Sequence, residues 1–222
     1  GGAIFTNDTR LAETMRSILA QTFTDFAVIV SDNGSPDDTV AICEGYARRD
    51  PRIRVIRQGA NIGVSANHNA VYRASAAPYF CWASAHDWYA PTFLAECVAV
   101  LDAQPAVLLA GTRAGTFHAV PGDGERFSEP ALPELPDGAR RLYAVMASMK
   151  HSRMFRGLHR RSAIAAAESF APMFGNDHMM VVRQSTVGRL VELPPPLYYE
   201  RAGDGTRGRG GRGGRGRASY RR

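Results

Sequence analysis

Four polar clusters in this chain each stand between an apolar run and an amphipathic one, the position at which an open α/β sheet gathers ligands. Ser31-Asp-Asn-Gly-Ser-Pro-Asp-Asp-Thr39 puts Asp32 at a strand's carboxyl end, where a carboxylate can accept a hydrogen bond from a nucleobase or ribose. The same Asp32 can instead belong to a turn, with Ser35 or Asp37 capping the next helix. Gly59-Ala-Asn-Ile-Gly-Val-Ser-Ala-Asn-His-Asn69 repeats the arrangement. Gly63 there permits close backbone approach, and Asn61 and Asn67 offer polar contacts to a ligand, or serve, with His68, the loop's own backbone.

The third cluster, Trp82-Ala-Ser-Ala-His-Asp-Trp-Tyr-Ala-Pro91, sets His86 and Asp87 after another strand. A carboxylate at that place can hold Mg²⁺ or Mn²⁺ across the phosphates of a nucleotide, and His86 tilts the choice toward Mn²⁺ or toward direct phosphate contact. The competing use is a cap for a helix beginning near Pro91. In the fourth, Gly175-Asn-Asp-His178, Asp177 opens a late helix whose dipole stabilises its charge, whether it faces a cleft or only caps.

The elements that must position these groups follow from periodicity. Phe26–Ser31, Ile53–Ile56 and Tyr79–Ala83 are short apolar runs bounded by turn residues and are expected as strands. Leu11, Met15, Ile18 and Leu19 recur at helical spacing, as do Val40, Cys43 and Ala47, and then Phe93, Leu94, Cys97, Val98 and Leu101. Strand and helix alternating in this way imply a mostly parallel, Rossmann-like sheet flanked by helices. Ala3–Thr6 is expected as a first strand, short enough that the natural N-terminus is expected to be missing.

From Gly111 to Gly138 the chain is rich in Gly, Pro and polar residues, and a hairpin around Ala114–Val120 is expected. Beyond it we expect a helix over Ala139–Met149, a strand near Met154, and helices over Arg161–Ser169 and Asn176–Thr186, with Pro194-Pro-Pro196 ending regular structure. Residues 1–202 then form one domain, with a nucleotide-binding half over 1–110 and an acceptor-binding half over 111–202. The Arg/Gly-rich run over 203–222 cannot bury apolar surface and is expected as a disordered tail.

Composition narrows the function classes. The 222 residues carry a net charge of +6, but residues 201–222 alone hold eight Arg and one Asp, so the first 200 residues stand at −1. A nearly neutral body argues against a duplex-binding domain, and the tail suits only weak contact with anionic membrane or nucleic acid. Three cysteines without metal spacing, and no apolar run of membrane-spanning length, fit a cytoplasmic protein, with peripheral residence at the inner face of the membrane left open by the tail.

Taken in order, strand-DNGSxD-helix, strand-NxGxSxNxN-helix, strand-HD-xxx-P-helix and G-x-D-helix resemble the family 2 inverting glycosyltransferases. The likeness runs from about residue 4 to Arg201, most specifically in Leu11–Phe26 leading into Ser31–Ser35 and in Cys81–Pro91. It implies the GT-A fold, a nucleotide-diphosphate sugar donor, UDP- or TDP-linked for choice, and a hydroxyl acceptor on a glycan, a lipid-linked glycan or a small molecule. It implies Asp32 on the nucleobase and Thr6 and Asn7 in the loop where the base rests. Asp87 would be the last acid of the metal motif, in which Ser84 and His86 replace other acids. Asp177 would be the catalytic base, and Tyr198–Arg201 the segment behind the donor, with Arg201 beside the diphosphate. An RNA-associated protein, suggested by the RGG-like tail, and a nucleotide-binding protein without turnover are the alternatives.

Overall fold

The computed structural model describes residues 8–118, 138–148, 153–166 and 175–202. The expected Ala3–Thr6 strand, with Thr6 and Asn7, lies outside them, as do the tail over 203–222 and the ends of three other expected elements.

The chain begins with α1 (Asp8–Leu19), β1 (Val28–Asp32), α2 (Thr39–Ala47), β2 (Ile53–Arg57) and α3 (Val64–Ala74). β1 and β2 pair in parallel, Val28 with Ile53 through Asp32 with Arg57, which brings the carboxyl ends of both strands to one edge. Leu11 and Met15 of α1 and Cys43 of α2 are buried with Ile53 in the core beneath that pair, so the apolar stripes read from sequence are the faces that pack.

The second half contains β3 (Tyr79–Phe80), β4 (Trp88–Tyr89), α4 (Phe93–Ala103), β5 (Val107–Phe117), α5 (Gly138–Ser148), a 3₁₀ turn (Arg153–Arg156), β6 (Leu158–Arg160), α6 (Arg161–Ala166), α7 (Asn176–Val187) and β7 (Arg189–Arg201). Its sheet has the order β3-β6-β5-β7-β4. The long β5 and β7 run parallel, while the short β3, β4 and β6 attach antiparallel. Most paired residues therefore lie in parallel ladders, as the alternation of elements required. Two cores flank this sheet, one around Phe80, Trp82, Phe155 and Met180, the other around Tyr89, Phe93, Leu101 and Tyr198.

Several expectations are corrected. Pro194-Pro-Pro196 does not end the structure but lies inside β7. Register shifts between Thr112 and Arg113 leave Pro194 and Pro195 without ladder partners, so their missing N–H groups cost nothing there. No hairpin forms at Ala114; β5 runs straight through to Phe117 because both its faces are buried, and the expected loop beyond starts outside the described residues. The strand expected near Met154 is a 3₁₀ turn, and the strand itself starts at Leu158. The third strand keeps only Tyr79 and Phe80 in a ladder, which leaves residues 81–87 as a loop rich in site residues.

Candidate active site

Asp32 ends β1 and is buried, at 7 % exposure. Its carboxylate accepts the N–H groups of Gly34 and Ser35, each at 3.2 Å, so it shapes its own turn. Capping of α2 falls instead near Asp37, whose Oδ1 accepts the Thr39 N–H at 3.1 Å.

The two polar loops after β1 and β2 are zipped together by their asparagines. Asn33 Nδ2 donates to Asn61 Oδ1 at 3.1 Å, and Asn33 Oδ1 accepts the Ile62 N–H at 2.9 Å. Asn67 joins α3 to β1 by donating to the Ser31 carbonyl at 3.2 Å, with the Ser31 hydroxyl on its Oδ1 at 2.6 Å. Asn61 and Asn67 thus tie the two loops and α3 to the end of β1. Gly63 holds a φ of 85° at the start of α3, and a Cβ there would meet no protein atom within 4 Å. The tight contact is at Gly34, with φ of 77°, where a Cβ would lie 2.9 Å from the Ala60 and Asn61 backbone.

Asp87 is 2 % exposed and fully engaged. Its Oδ2 accepts the Tyr198 hydroxyl at 2.7 Å and its Oδ1 the Arg201 N–H at 3.1 Å, while its carbonyl takes the Thr14 hydroxyl at 2.6 Å. It does not cap α4, which begins at Phe93 after Thr92. His86 is one-third exposed, its Nε2 3.7 Å from Asp87 Oδ1, and its ring also meets the Ser84 hydroxyl, with Nδ1 at 3.2 Å. Arg201 is spent on the frame: it pairs with Glu13, donates to the carbonyls of His86 (3.1 Å) and His118 (3.3 Å), and lies over the Phe117 ring.

Asp177 occupies the first turn of α7 after Gly175, which holds a left-handed φ of 72°. Its side chain is 38 % exposed and lies 3.1 Å from His178 Nδ1. Burial pushes His68 down to about 4, with Arg156 adding to the fall and Asp177 opposing it. His68, on α3, is thus neutral at pH 7. Arg156 in turn feels the charge of Asp87. Sequence reasoning missed Arg156, which sits in an apolar Met-Phe-Arg-Gly context with no motif to mark it.

The sequence profile of "Glycosyl transferase family 2" matches residues 4–161, more than half of the chain. The chain belongs to that family. Curated relatives include EpsJ, an uncharacterized glycosyltransferase of Bacillus subtilis (strain 168), 38% identical over 78 residues, covering 35% of this chain and 22% of that protein. EpsE of the same organism, a putative glycosyltransferase, is 28% identical over 135 residues, 60% of this chain and 47% of its own length. The chain therefore spans less than half of these relatives.

Among solved structures, S. aureus TarS 1-349 in complex with UDP superposes with a TM-score of 0.67 at 20% identity, covering 88% of this chain and 57% of that one. The mannosyltransferase PcManGT from Pyrobaculum calidifontis, in complex with GDP-Man and Mn²⁺, gives 0.66 at 14%, covering 90% and 55%. The family 2 chain thus has the GT-A fold. Among its described residues no helix is long and apolar enough to cross a membrane.

The fold family's divalent ion can be tested against this chain's donors. Mg²⁺ and Mn²⁺ take oxygen ligands and, beside a nucleotide, need one or two carboxylates free to coordinate. Here no group of three His, Cys, Asp or Glu converges among the described residues. The one carboxylate at the motif, Asp87, is buried with a protein donor on each oxygen, and its neighbour is an imidazole. The Asp87–His86 pair does not fit a hard cation.

Proposed function

We propose that this chain transfers a sugar from a nucleotide-diphosphate donor to an acceptor hydroxyl, with inversion at the anomeric carbon. The observation that carries the reading is the family match over residues 4–161, together with the fold shared with TarS in complex with UDP. His68 feels the charges of Arg156 and Asp177, and Arg156 that of Asp87.

Asp32, at the edge formed by β1 and β2, is the group for the nucleobase. A carboxylate reads an imide N–H, which favours uracil or thymine, hence UDP- or TDP-sugars. Asn61, Gly63 and Asn67 shape the wall beside it, and His86, the more exposed of the motif's two polar ends, faces the phosphates. Asp177 takes the proton of the acceptor hydroxyl as its oxygen attacks the anomeric carbon. Attack opposite the departing diphosphate inverts that carbon. The 111–202 half would hold the acceptor. Metal dependence, which the Mn²⁺ complex of PcManGT suggests for the fold, would require ligands beyond Asp87 and His86.

The test is ligand-induced stabilisation across UDP, TDP, GDP and CDP, because specific binding raises the melting temperature by mass action. A shift for UDP or TDP above the others supports the reading. No shift for any of the four contradicts it.

A further inference from the structure

We propose that Arg156 is the cationic partner of the donor's diphosphate, an assignment that rests on the functional reading above. Arg156 closes the 3₁₀ turn, and its backbone is pinned on both sides. The Cys81 thiol donates to its carbonyl at 3.2 Å, and at Gly157 a Cβ would lie 2.6 Å from the Ala110 carbonyl oxygen, so the turn is pressed against β5. The guanidinium is enclosed by protein, while the residue as a whole is half-buried.

Tyr198, Tyr89, Asp87 and Cys81 all act on the charge of that guanidinium, yet among the described residues it makes a single hydrogen bond. Nη1 donates to the Trp82 carbonyl at 3.2 Å, and Cζ stands 5.4 Å from the Phe155 ring centroid. No ion pair joins Arg156 to any described carboxylate, and Asp87, which favours its charge from a distance, already has both oxygens engaged. An arginine carries five N–H donors, and enclosing its charge without a paired anion is costly. The unused donors call for a ligand with several anionic oxygens in a plane a guanidinium can match, and a diphosphate is such a group. Arg201, by contrast, is held by Glu13 and two carbonyls.

The placement also suits the chemistry. Arg156 feels the charge of Asp87, and both Arg156 and Asp177 act on His68. As the acceptor oxygen bonds to the anomeric carbon, its proton passes to Asp177. The bond from that carbon to the diphosphate oxygen breaks, and its electron pair stays on the oxygen. Arg156 N–H groups then meet the negative charge where it grows.

Calorimetric titration of the full chain with UDP and with uridine, both in EDTA, tests this. The wild type should bind UDP more tightly than uridine. Arg156→Gln should weaken UDP tenfold or more and leave uridine unchanged, with Arg156→Lys in between; the retained uridine affinity also shows that the variant is folded. Unchanged UDP affinity in Arg156→Gln, or equal losses for UDP and uridine, overturns the assignment. So does a UDP preference that appears only when Mn²⁺ replaces EDTA. Binding of neither ligand by the wild type overturns the functional reading itself, an outcome distinct from the others.

Discussion

The Tyr198 hydroxyl donates to Oδ2 of Asp87 across 2.7 Å in the buried seam where β4 meets β7. Thr14 of α1 bonds the Asp87 carbonyl and Glu13 holds Arg201, so one acidic residue ties a helix, a loop and the last strand into a single frame. Asp87 is in this view a positioning residue, and the loop bearing His86 stands where it does because Asp87 is anchored.

Tyr198→Phe should therefore act on stability first. Removing a hydrogen bond to a buried carboxylate costs about 1.5–3 kcal/mol. The melting temperature should fall while uridine affinity stays the same. An unchanged melting temperature would show that the pair contributes nothing.

Gly34 offers a test of the loop pair on the nucleobase side. Gly34→Ala puts a Cβ at a φ of 77° and 2.9 Å from the next loop's backbone, a clash that only backbone movement relieves. A loss of about 1–3 kcal/mol is expected from strain of this kind, together with weaker nucleoside binding as the Asp32 turn shifts. Denaturant unfolding and uridine titration measure the two effects.

The sequence exposed much of this. Helical stripes at Leu11, Met15 and Leu101 became buried faces, and three of the four polar clusters fell at strand ends or at a helix start. Periodicity failed where pairing depends on distant partners. The prolines of β7 are tolerated because β7 itself bulges there, with Pro194 and Pro195 left between the partners of two consecutive β5 residues, and no local pattern announces where that ladder slips. The site was legible as motifs but not as contacts. Asp87, expected as a metal ligand, accepts a hydrogen bond from Tyr198, 111 residues away; Arg201, expected beside the diphosphate, pairs with Glu13, 188 residues away.

His68 gives a pH dependence. Its folded-state value of about 4 lies below the ordinary 6.5, so between those values the unfolded chain binds more protons than the folded one. The stability it confers is complete above pH 6.5 and is lost as pH falls toward 4. Buried His159, also pushed down by desolvation, acts in the same direction. His68→Asn should flatten the decline in melting temperature from pH 6.5 to 4; an unaltered decline would assign it to other groups.

Asp32→Asn separates recognition from folding. The amide keeps one oxygen for the Gly34 and Ser35 N–H groups but loses the charge that reads an imide N–H. UDP affinity should fall several-fold with little change in unfolding midpoint. Equal UDP affinity would remove Asp32 from the donor site.

Asp177 carries the central claim. The measurement is sugar transfer from the donor selected by the stabilisation screen, with donor titration run beside it, for wild type and Asp177→Asn. The amide is nearly isosteric and cannot accept the acceptor's proton, so the rate should fall roughly a hundredfold or more while donor affinity is unchanged. Transfer at the wild-type rate by Asp177→Asn would contradict the account.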